Sequence, residues 1–171
     1  MANKVVKMDD KKKQKIDFDG FITKIRIDKK SDIPEIHFKR TSSVSEGVII
    51  ENGTAKPLDD FLRAMQALSD IFCEICEFDE DKKEGVIITT VNFSAKGGVI
   101  ISGQVELTEN GIPQPLCVNT PHILIEDDGH GGYSLPDYAK KQLEELKRQA
   151  VLYLSGETKE KQQSLFEASN G

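Results

Sequence analysis

Cys73 and Cys76, with Glu74 and Ile75 between them, have the spacing at which two thiolates grip a zinc ion, and Cys117 with His122 would complete a tetrahedral set. The same pair falls inside a helical pattern in which Cys76 extends the apolar stripe, and a buried cysteine packs as a small hydrophobe. Core packing is therefore the expectation. Glu126-Asp127-Asp128-Gly129-His130-Gly131-Gly132 gathers carboxylates, an imidazole and glycines that would let the backbone fold round a divalent ion. Its spacing matches no calcium loop, so it reads as a solvated connection. Asn119-Thr120-Pro121-His122 is good turn chemistry, and His122 and His37 read as satisfied or exposed histidines, not as bases. Ser94-Ala95-Lys96-Gly97-Gly98 has the glycines and lysine of a phosphate loop but joins two strands, whereas such cradles feed a helix N-terminus. A serine nucleophile elbow and a Walker-type loop are both missing from the sequence. No catalytic residue, metal or cofactor is expected, and the chemistry left is binding.

Gln162-Gln163-Ser164-Leu165-Phe166 is a different kind of signal, two bulky apolar residues within a polar C-terminal stretch. The peptide resembles the short motif by which bacterial polymerases and repair proteins dock on the replication sliding clamp. The resemblance implies that Gln162 would hydrogen-bond at the rim of the clamp's groove and Ser164 would help shape the bend. Leu165 and Phe166 would fill the hydrophobic pocket. Gln163 stands where an aliphatic residue is often preferred, which lowers the affinity implied. Anchoring by a few apolar side chains is how peptide hot spots work. The alternative is that Leu165 and Phe166 fold back onto their own domain as a helical turn.

A second binding reading comes from aromatics on strands. Phe18, Phe21, Phe38 and Phe93 would be able to stack the bases of single-stranded DNA, with Lys24, Arg26, Lys39 and Arg40 meeting phosphates. Phe21, Phe38 and Phe93 also fit a buried face, and that reading is favoured. The lysines at 4, 7, 11, 12, 13 and 15 make residues 1–16 a flexible basic arm, either solubilising or drawn to nucleic acid.

These residues need a scaffold, and the hydrophobic periodicity supplies one over residues 17–156. Phe21, Thr23, Ile25 and Ile27 alternate with Ile22, Lys24 and Arg26, the signature of a half-buried strand beginning near Phe18. Strands follow at Pro34–Lys39 and Val48–Ile50, closed by the Asn52-Gly53 turn. Leu58, Phe61, Leu62, Met65, Leu68, Phe72 and Ile75 then recur at helical spacing, with Asp59 and Asp60 in the first turn. Val86–Phe93 is a β-branched strand. Val99, Ile101, Val105 and Leu107 share a face, with Gly103 as a bulge or close approach. Asn110-Gly111 reads as a turn. Short strands at Leu116–Val118 and Ile123–Ile125 precede a second helix, with Ser134 as its N-cap and Gly156 as its C-terminal glycine. The fold predicted is α+β, a mainly antiparallel sheet in strands–helix–strands–helix order with the helices on one face. Both halves have a strands-then-helix form, as a duplication would produce, although no residue-level repeat establishes one. Residues 157–171 read as a flexible polar tail carrying the short motif.

A chain of 171 residues suits one domain with a real core. A net charge of −6 argues against a dedicated duplex-binding domain, which would show a basic face. Three cysteines are an odd count for a secreted disulfide scaffold, and no apolar run reaches membrane-spanning length, so a cytoplasmic setting is expected. From Asp19-Gly20-Phe21-Ile22 through Glu74-Ile75-Cys76 and Val118-Asn119-Thr120-Pro121-His122 to the helix ending at Tyr153, the chain is similar to a family of small bacteriophage- and prophage-encoded proteins. The resemblance implies a bacterial host cell and phage DNA metabolism, and brings no catalytic residues. The function expected is a non-catalytic accessory factor of DNA replication or recombination, recruited to the host sliding clamp. A stoichiometric inhibitor that sequesters a host factor is the alternative, and single-stranded DNA binding is the third reading.

Overall fold

The computed structural model describes residues 20–40, 47–106 and 114–169; the arm at 1–16, Phe18, Leu107 and the Asn110-Gly111 turn lie outside them. Alternating β-branched and polar residues build seven strands: β1 (Gly20–Ile27), β2 (Pro34–Arg40), β3 (Ile49–Asn52), β4 (Val86–Phe93), β5 (Gly98–Val105), β6 (Leu116–Asn119) and β7 (Ile123–Leu124). They form one open sheet in the order β3-β2-β1-β4-β5-β6, with β7 also pairing β5 and every neighbour antiparallel. Helices α1 (Asp59–Gln66), α2 (Ser69–Ile75) and α3 (Asp137–Leu154) supply the other wall of the core. The expected α+β architecture is the one observed.

The two halves of the sheet repeat one another. Each is a three-stranded meander running outward from the central β1/β4 pair, where Ile25 faces Val91. The β1/β2 ladder passes from Ile22↔Phe38 to Lys24↔His37, leaving Thr23 as a bulge; the β4/β5 ladder passes from Ile88↔Gly103 to Thr90↔Ser102, leaving Thr89 in the same role. Strand order, direction and register are thus related by a twofold axis through the middle of the sheet.

The bulge at Thr23 corrects the first strand's reading. One extra residue shifts the alternation, so Ile22 and Ile25 both enter the core and Phe21 turns outward, 40% exposed. Phe38 and Phe93 are buried as expected. Gly103 is a close approach: a Cβ there would lie 2.9 Å from Cζ of the Phe72 ring.

The helices depart from expectation in two places. The single helix predicted from Leu58 to Ile75 is broken at Ala67-Leu68, where Leu68 N–H reaches back only to the Met65 carbonyl. Ile71, Phe72 and Cys73 are all fully buried, and three consecutive residues span more of a helix's circumference than one stripe. Tightening the turn lets α2 bury a broader surface than α1 does. At α3 the N-cap is Pro136, not Ser134. Leu135 precedes a proline, which disfavours helical backbone, and its N–H instead bonds the Leu124 carbonyl at 3.0 Å. Gly156 ends α3 as expected, with a φ of 88° and Glu157 N–H donating to the Leu152 carbonyl.

Candidate docking site

The segment expected as a flexible polar tail is helical over Lys159–Ser169, forming α4. Its composition of Lys, Glu, Gln, Leu and Ala favours helix, and its start is fixed by what surrounds the end of α3. Tyr153, the last buried residue of α3, donates its hydroxyl to the Ala55 carbonyl at 2.6 Å. The chain then turns at Gly156, Thr158 bridges Pro57, and Lys159 N–H bonds the Lys56 carbonyl at 3.2 Å. Lys159 Nζ lies 2.5 Å from Asp59 at the start of α1, and its hydrogen bond holds the Asp59 carboxyl below the usual range. Residues 55–59 therefore anchor the first turn of α4.

Beyond that anchor the motif residues face outward. Leu165 is 58% and Phe166 69% exposed, and Gln162, Gln163 and Ser164 are exposed beside them. At about 100° per residue, Gln162, Leu165 and Phe166 share one side of the helix and Ser164 lies on the other. Ser164 donates its hydroxyl to the Lys161 carbonyl at 2.9 Å, and Glu157 pairs with Lys161 one turn earlier. The helix thus gathers one amide and two large apolar groups, a surface suited to docking.

The other sequence candidates disperse. Cys73 is buried in α2, Cys76 is half-buried, and Cys117 is exposed on β6, where its sulfur accepts a bond from Gln104. His122 lies apart from them, along a cleft of about 520 Å³ between α2 and β7 that also holds Glu74 and Tyr133. Tyr138 and Tyr133 both donate to Glu74, and burial with that bond pushes the Tyr138 hydroxyl up to about 12. Thr120 is structural, its hydroxyl accepting the Ile101 N–H at 3.0 Å. In the 126–132 loop, Asp127 and Asp128 accept the N–H groups of Gly129 and His130, and Glu126 pairs with Lys140. Ser94–Gly98 closes a hairpin, with Ser94 N–H on the Gly98 carbonyl. Among the described residues no group of three His, Cys, Asp or Glu side chains is placed to hold a metal, and no helix is long and apolar enough to cross a membrane.

No protein-family model, curated protein or solved structure matches this chain. The site stands on its geometry. What the sequence did not signal is the anchor: Ala55, Pro57 and Asp59 are about a hundred residues from their partners, beyond any local pattern.

Proposed function

We propose that this chain is a non-catalytic accessory factor of phage or prophage DNA replication or recombination, which docks on the bacterial sliding clamp through Leu165 and Phe166. The observation that carries the reading is the exposure of these two adjacent side chains on a helix whose first turn is anchored by residues 55–59. The bend implied at Ser164 is not helical backbone, so the last turns of α4 must unwind on docking. That step costs little, because helices shorter than about 12 residues are marginal without tertiary packing. Gln162 would then meet the rim, and Ser164, released from the Lys161 carbonyl, would form the bend.

Biolayer interferometry with purified bacterial clamp tests this. The wild-type chain should bind, and Leu165→Ala/Phe166→Ala should weaken binding at least thirtyfold, corresponding to about 2 kcal/mol of hot-spot energy. Equal binding by both proteins rejects the reading.

A further inference from the structure

The outer face of the sheet carries a second surface, independent of α4. We infer that it binds single-stranded nucleic acid. Helices α1, α2 and α3 all pack on the opposite face, and the side chains described on this one are half-buried to exposed. The Thr23 bulge turns Phe21 onto it, and Lys39 stands directly across the ladder from Phe21. Lys24 and Arg26 follow along β1 on the same side, and Lys29 and Lys30 extend the row. A cleft of about 650 Å³ runs beside them, floored by Thr90, Asn92 and Gln104.

Charge selects the occupant. Lys24, Arg26, Lys29, Lys30 and Lys39 meet three carboxylates here, Asp28, Glu35 and Glu106, in a chain whose net charge is −6. All three carboxylates are engaged: Glu35 by Lys24 and His37, Asp28 by Ser31 and the Lys30 N–H, and Glu106 by Lys29. Arg26 makes no ion pair among the described residues. An exposed aromatic ring within a cationic row suits a strand whose bases are unstacked, because the ring needs a free base face. A duplex hides those faces. Six strands at about 4.8 Å spacing give a face about 24 Å across, room for on the order of four nucleotides. The twofold-related positions of Lys24 and Arg26 are Thr90 and Asn92, so the positive charge is confined to the β1/β2 half.

The test is fluorescence anisotropy of the full chain with labelled oligothymidylate of about 20 nucleotides, titrated from about 25 mM salt upward. Wild type should bind, with affinity falling as salt rises. Arg26→Gln/Lys39→Gln should weaken binding at least tenfold and flatten the salt slope by about 1.4, two phosphate contacts at about 0.7 each. Phe21→Ala should lose about five- to a hundredfold by removing one stacking contact. Arg63→Gln/Lys141→Gln, an equal loss of charge on the helical side, should bind as wild type. Circular dichroism checks that each variant is folded. Absence of binding at low salt overturns the inference, as does equal affinity for the matching duplex. So does Phe21→Ala binding like wild type, or a helical-side variant weakened as much as the sheet-face one.

Discussion

Glu35 accepts hydrogen bonds from His37 at 2.8 Å and Lys24 at 3.2 Å, and these, His37 first, hold its carboxyl below its ordinary value of 4.5 against the opposing effect of burial. A carboxyl lowered in the folded state binds fewer protons than in the unfolded chain, so it stabilises the fold above its unfolded value. That contribution is lost as pH falls through the folded value. Urea unfolding of wild type and Glu35→Gln should therefore differ most at neutral pH and converge as pH drops below 4.5. A constant gap across that range would show that Glu35 is not the coupled group. Single residues were also where the sequence was least legible. The stretch Phe21–Ile27 supports two alternations equally well, and only the bulge at Thr23 decides that Phe21 faces out. A bulge is set by the partner strand's register, which the strand's own residues do not encode.

Among the elements, β4 and the end of α3 were readable to the residue, because β-branched runs and a positive-φ glycine are local signals. The break at Leu68 was not, since Leu58 to Ile75 keeps helical periodicity throughout and only packing against the sheet tightens the turn. α4 was misjudged for the opposite reason. Its weak amphipathicity resembles a tail, while its anchor lies at residues 55–59. That anchor comprises one exposed ion pair, which solvent screens, and a single backbone bridge. Deleting residues 159–171 should lower the melting temperature by no more than about 4 °C in a scan by circular dichroism. A loss much larger than that would mean α4 is part of the cooperative core, and the docking reading would lose its detachable arm.

At the level of the whole molecule, the strands obey a twofold relation that the amino-acid pattern conceals. Ile22-Thr23 and Ile88-Thr89 are its matched bulges, yet residues elsewhere in the halves differ too much for a repeat to be seen by eye. Ile22 and Ile88 are both buried at equivalent places, so Ile22→Ala and Ile88→Ala should each cost about 2–5 kcal/mol in urea unfolding, agreeing to within about 1 kcal/mol. Strongly unequal losses would mean that the likeness is confined to the backbone.

The twofold relation also describes how two separate chains would pair. Two identical three-stranded chains meeting at the β1/β4 pair would build this same sheet as a closed homodimer, because a twofold contact uses one patch twice. The two halves of the present chain are not interchangeable in that way. Phe38 and Gly103 hold equivalent positions, and a second phenylalanine there would claim the space the Phe72 ring now fills. The two halves thus match in backbone register, while that ring makes them unlike in packing.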